Sequence, residues 1–151
     1  MYIISACLAG ENVKYNGGNN YNQKVMDFLK DKEYVLVCPE TAGGLKAPRD
    51  PAERIGDKVI DRVGRDLTEA FHEGARRCLE QILETTSPED IEGAILKARS
   101  PSCGSGVIYD GTFSGRKIPS EGITAAMLRE AGYRVISEKD VEAIEREHNK
   151  G

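Results

Sequence analysis

The chain has no CxxC pair, although four of its 151 residues are cysteine. A compact zinc finger is thereby disfavoured, because its ligands arrive in close pairs, while a site assembled from distant segments stays open. Histidine is scarce. His72 falls on a helix surface and His148 near the C-terminus, so neither a mixed Cys/His metal site nor a Ser-His triad has support. There is no GxGxxG and no Walker sequence, which leaves the glycine-containing loops as weak evidence for nucleotide binding. Internal repeats and low-complexity linkers are also absent.

Long apolar runs are missing too. With 39% hydrophobic and 30% charged residues the composition is that of an ordinary globular protein, too polar for a membrane span. The opening MYIISACLAG is apolar but lacks a basic leader and is too short for a signal segment with a cleavage site, so it reads as the first strand of a cytoplasmic protein. A net charge of -4 gives no general attraction to a nucleic-acid backbone, and leaves room for a local basic patch that serves a small anion. One domain over 1–151 buries roughly 70% of the surface its unfolded form exposes and needs no disulfide staple. Without an export signal the cysteines are expected to be reduced, which turns attention to metal binding or catalysis.

Short apolar runs alternate with helical patterns along the chain. YIISA (2–6), EYVLVC (33–38), IEGAILKA (91–98) and YRVIS (133–137) read as strands. NQKVMDFLK (22–30) reads as a helix, and Phe71, Ala75, Cys78, Leu79, Ile82 and Leu83 recur at helical spacing behind an expected Asp66/Glu69 cap. The Gly- and Pro-rich connection 39–66 suggests a small hairpin around DKVIDRVG; loops this long are uncommon unless functional. VIYDGTFSG (107–115) suggests a short strand with turns, Ser120 an N-cap for a helix over 121–131 stopped by Gly132, and Ser137 a cap for an acidic last helix. Strands separated by helices imply an α/β fold: a three-layer, Rossmann-like domain with a short, mainly parallel sheet of about four strands.

That architecture gives three cysteines one address. Cys7 ends the first strand, Cys38 ends the second, and Cys103 lies in the Gly/Ser-rich loop ARSPSCGSG after the third. In an open α/β sheet the loops at the carboxyl ends of the strands line the ligand crevice, so three distant cysteines can converge there. Cys78 differs, because it sits on the apolar stripe of a helix as a small core residue. Three converging thiolates suit either zinc with an open position or an iron-sulfur cluster with one iron lacking a protein ligand.

The segments SACLAG (5–10), CPETAGGLKAPRDPAE (38–53), GRDLTEAFHEGA (64–75), ILKARSPSCGSGVIYDGTFSG (95–115) and EGITAAMLREAGYRVISE (121–138) resemble the thiouracil desulfidase family, in the expected order and over nearly the whole chain. The resemblance implies a 4Fe-4S cluster held by Cys7, Cys38 and Cys103, whose remaining iron takes the sulfur of a thiocarbonyl substrate. It further implies that Glu40 is the acid/base carboxylate and Ser100 an active-site serine. The implied reaction is a hydrolytic desulfuration of a small-molecule thione to a ketone, with sulfide released and no net redox change. Two other classes remain open: a phosphate-binding module using the 100–106 loop with Lys97, Arg99, Lys46 or Arg49, and a cluster-bearing sulfur carrier without turnover.

Overall fold

A computed structural model describes residues 1–141; the body of the acidic helix expected after Ser137, and His148, lie outside the described residues. Four parallel strands form the central sheet: β1 (Tyr2–Ser5), β2 (Tyr34–Val37), β5 (Gly93–Leu96) and β8 (Val135–Ser137), in the order β2-β1-β5-β8. Two antiparallel hairpins stand apart from it, β3 (Ala52–Ile55) with β4 (Lys58–Asp61) and β6 (Val107–Tyr109) with β7 (Lys117–Pro119). The α/β, Rossmann-like sheet expected from the sequence is therefore present. Among the described residues no helix is long and apolar enough to cross a membrane.

Burial explains why YIIS and GAIL are central strands: every residue of both is buried, as strands covered on two faces require. Alternation sends neighbours to opposite faces. Ile3, Ala94, Leu96 and Val135 pack on one side against Cys78 and Ile82 of α3 (Thr68–Thr85) and Leu128 of α4 (Ile123–Glu130). Tyr2, Ile4 and Ile95 pack on the other against Val25 and Phe28 of α1 (Gln23–Phe28). A third core joins Val59 of β4 to Phe71 and Ala75 of α3 and Ile123 of α4.

The strand order creates a switch point. From β1 the chain moves to β2 on one side, then crosses through α3 to β5 on the other side of β1. A crevice opens beyond the carboxyl ends of β1 and β5, where such sheets hold ligands.

Several boundaries differ from the sequence expectation, for local reasons. The 39–66 connection contains a helical turn, α2 (Pro39–Ala42), as well as the hairpin, whose partner strands are Ala52–Ile55 and Lys58–Asp61. Asp66 does not cap α3. Its carboxylate accepts from the Thr68 amide at 2.9 Å, and Leu67 takes the cap position because its own amide is tied to the Val59 carbonyl at 2.7 Å. Gly122 rather than Ser120 precedes α4, since this residue lies against the Ser102–Cys103 backbone, where a Cβ would meet the Ser102 carbonyl carbon at 2.4 Å. The strand β7 was not apparent from sequence, and all three of its residues are exposed, so no apolar alternation marks it.

One contact fixes α2 on α3. At Gly74 a Cβ would stand 1.8 Å from the Pro39 carbonyl oxygen, and at Gly43 another would stand 2.1 Å from the Ala70 oxygen. Gly74→Ala improves intrinsic helix propensity by about 1 kcal/mol, yet the displacement it forces is expected to dominate, for a net destabilisation of about 1–3 kcal/mol. Urea unfolding of the variant checks the sign; a more stable Gly74→Ala protein would show that this backbone contact is dispensable.

Candidate functional site

Three strand ends deliver the three cysteines. Cys7 lies in the 3-10 turn Ala6–Ala9 directly after β1, a turn closed by Gly10 at φ 97°, a left-handed value suited to glycine. Cys38 follows β2 as the N-cap of α2, with Pro39 in the first helical position, where its missing N–H matters least. Cys103 sits in the loop after β5, its amide donating to Ser100 Oγ at 2.7 Å while Gly104 N–H donates to the Ser100 carbonyl at 2.9 Å. All three cysteines, with Glu40 and Ser100, line one cleft of about 570 Å³. Cys78 is buried on the core-facing side of α3, and His72 is exposed.

Each sulfur has a polar neighbour. Asn20 Nδ2 donates to Cys7 Sγ at 3.4 Å and Thr41 Oγ1 to Cys38 Sγ at 3.2 Å. Ser102 Oγ lies 3.5 Å from Cys103 Sγ and 3.0 Å from Glu40 Oε2; it has one hydrogen, and the carboxylate is the better-placed and stronger acceptor. The other carboxylate oxygen, Oε1, takes a 3.3 Å ion pair from Arg49 Nη2, which also donates to the Val13 carbonyl at 3.0 Å. Glu40 is thus held from two sides, by a loop serine and by a nearly buried arginine. Ser100 Oγ, 3.3 Å from Ser102 Oγ, touches the carboxylate only through that second serine.

Sequence reasoning missed Ser102 and gave Arg49 a different role. Ser102 is one of two serines in SPSC, and nothing in the spelling says which faces the carboxylate. The 1% exposure of Ser102 and its bond to a residue 62 positions away are products of the fold. Lys97, another of the cations considered for phosphate binding, is paired with Glu138 Oε2 at 3.1 Å, and Glu138 also accepts the Ala98 amide.

Burial pushes the Cys103 thiol up to about 12, opposed by Ser5 and Ser102 and reinforced by charge on Glu40 and Cys7. Cys7 is likewise raised by burial, the Asn20 bond opposing and Cys38 charge reinforcing. The sulfurs therefore sense one another, and ionising them together calls for a compensating cation. A metal centre is what such a donor set fits, because binding expels the thiol protons and repays the burial. Among the described residues no three His, Cys, Asp or Glu side chains converge as closely as ligands of a single ion do. A multi-iron cluster takes one cysteine per iron, so its thiolates stand further apart.

The family model for 2-thiouracil desulfurase matches residues 2–140. This chain belongs to that family. It is 43% identical over 154 aligned residues to the uncharacterized protein YbbK of Bacillus subtilis (strain 168), covering 95% of this chain and 99% of the relative. Its structure superposes on a [4Fe-4S]-dependent thiouracil desulfidase, TudS, with a TM-score of 0.86 and 38% identity, over 99% of this chain and 98% of the other. The family resemblance carried by CPE, GGLxxPR and SPSCG is borne out.

The thiols also set a pH dependence for the metal-free desulfurase-family fold. Burial raises Cys78 to about 11 and Cys103 to about 12, from 9.0 for an unperturbed thiol. Above about pH 9 the unfolded chain sheds these protons while the folded one keeps them, so stability is full below that pH and is lost as pH rises through the folded values. Urea midpoints of chelator-treated protein are expected to fall between about pH 8 and about pH 10.5, with a shallower fall in Cys78→Ala. An unchanged midpoint in the wild type would remove burial as the dominant influence on these thiols.

Proposed function

We propose that this protein hydrolytically desulfurises a thiouracil-like thione, using a 4Fe-4S cluster held by Cys7, Cys38 and Cys103, with Glu40 as acid/base group. The observation that carries this is the placement of three thiols from three strand ends around one cleft that also holds a doubly anchored carboxylate. Membership of the 2-thiouracil desulfurase family and the likeness to TudS support the same chemistry.

When bound, such a cluster supplies one iron without a protein ligand, a Lewis acid toward the thione sulfur. The chain's own residues do the rest. Glu40 takes a proton from the attacking water as the carbon–oxygen bond forms; the carbon–sulfur bond breaks, and sulfur leaves as sulfide. Overall, thione and water give ketone and hydrogen sulfide, with no electron lost or gained. Ser102 and Arg49 each hold one oxygen of Glu40, which restricts the carboxylate to an orientation facing the cleft. Ser100 fixes the Cys103 amide and, through Ser102, extends the hydrogen-bonded chain away from the carboxylate. Asn20 donates to the Cys7 sulfur and opposes the effect of its burial, and Thr41 donates to the Cys38 sulfur.

Pairing of Arg49 with Glu40 and of Lys97 with Glu138 argues against the phosphate-module alternative, since two of its four candidate cations already face carboxylates. A non-catalytic carrier would have no use for a base held on both oxygens.

Two sets of variants test the assignment. Cys7→Ala, Cys38→Ala and Cys103→Ala are each expected to abolish stable cluster binding, read as iron content and visible absorbance after anaerobic reconstitution, while Cys78→Ala keeps the colour and lowers stability by about 1–3 kcal/mol. Glu40→Gln keeps the shape and the cluster but loses roughly 10²- to 10⁴-fold in single-turnover sulfide release from 2-thiouracil. Full turnover by a cluster-loaded Glu40→Gln protein would sink the acid/base role of this residue.

A further inference from the structure

Phe113 is the phenylalanine that the cores do not use. Phe28 is 4% exposed and Phe71 0% exposed, each inside a hydrophobic cluster, whereas Phe113 packs into none of the three cores of the described residues. It lines the cleft instead, together with Cys103 and Glu40. From this placement we propose that Phe113 is the stacking platform for the planar ring of the substrate. The proposal rests on the thione-hydrolysis reading above and deepens it, because it selects flat heteroaromatic thiones over acyclic thioamides.

The backbone shows that this position is held against its own preference. Phe113 has φ 56°, in the left-handed region, where a bulky L residue is strained. Among the described residues the other positive-φ positions are glycines, apart from Arg99 at φ 69°, which lines the same cleft. Glycine would relieve the strain at 113, yet a large ring stands there.

A buried carboxylate maintains the arrangement. Glu53 of β3, 9% exposed, accepts the Gly111 amide at 3.0 Å and the Phe113 amide at 3.2 Å through the same oxygen. Gly111, at φ 95°, lies so close to β3 that a Cβ would meet Ile55 Cγ1 at 2.3 Å. The DGTF turn is thus laid down on the β3–β4 hairpin and presents the ring to the cleft. The Arg62 guanidinium stands over the ring, 6.0 Å from its centroid, and lines the cleft as well, adding a cation to the aromatic plane. A thiouracil-like ring is flat, polarisable and only partly hydrogen-bonded at its edges, so an aromatic face recognises it without competing for the reacting sulfur.

The test compares cluster-loaded wild type with Phe113→Tyr, Phe113→Leu and Phe113→Gly, using equilibrium binding of uracil, the unreactive oxo counterpart, and steady-state turnover of 2-thiouracil. Leu and Gly are expected to weaken uracil binding and raise KM by roughly 5- to 100-fold, with kcat moved less and iron content unchanged, while Tyr keeps wild-type values. Melting of the metal-free Phe113→Gly protein is expected within about 3 °C of wild type, because relief of left-handed strain offsets the added chain entropy. A cluster-loaded Phe113→Leu protein with wild-type uracil binding and KM would overturn the proposal. So would a collapse in melting temperature on Phe113→Gly, which would make the ring a packing residue. A wild-type protein that neither binds uracil nor releases sulfide from 2-thiouracil would instead remove the functional reading itself, and this proposal with it.

Discussion

Parallel pairing of β1 with a strand on either side is the constraint on which the cleft depends. In register, Ser5 lies beside Val37 and Ile4 beside Ile95, so the three chains leave the sheet at one edge and in the same direction. Parallel strands cannot be joined by tight turns, and each crossover must pass over a face of the sheet before returning. Residues 7, 38 and 103 are far apart in sequence because of those crossovers and close in space for the same reason. Slipping any one strand by a residue would turn its apolar side chains to the wrong core and move its cysteine away from the others.

Backbone contacts then bring the loops to their working positions. Gly74 lets α3 touch the Pro39 carbonyl, which seats the turn carrying Cys38 and Glu40. Gly122 lets α4 touch the Ser102–Cys103 backbone, and the Thr124 amide donates to the Ser102 carbonyl at 2.8 Å. Two helices that cover the same face of the sheet therefore each hold one half of the Glu40–Ser102 pair. Their mutual packing through Phe71, Ala75 and Ile123 links hydrophobic burial to the geometry of a carboxylate.

How much of this could be read from the letters differs by element. The fully apolar YIIS and GAIL and the long amphipathic stripe of α3 announce themselves through periodicity, and the strand-end position of three cysteines follows from them. The hairpins do so only by half, since DKVIDRVG and VIYDG mark β4 and β6 but not their partner strands. β7 is exposed throughout and β3 carries a buried Glu53, so neither shows the alternation that marks a half-buried strand. Of the site residues, Glu40 and Ser100 came from the family's motifs, not from any pattern of charge. Ser102 and Arg49 owe their contacts to long-range packing, and Phe113 owes its position to a buried carboxylate on another hairpin.

Charge accounting at the cleft joins these pieces. Arg49 lies against Glu40, and Lys97 against Glu138, so these two cleft-lining cations already balance carboxylates. The groups hydrogen-bonded to two of the thiols are neutral, the Asn20 amide at Cys7 and the Thr41 hydroxyl at Cys38, while charge on Glu40 works against ionisation of Cys103. Neutral donors favour a thiolate but do not cancel its charge, and Cys103 is buried deeply enough to hold its proton to about 12. Ionising the three sulfurs together therefore calls for positive charge beyond what these paired side chains supply. In the proposed reading an iron-sulfur cluster supplies that charge, and the Glu40 carboxylate, paired with Arg49, is left to act as a base rather than as a ligand.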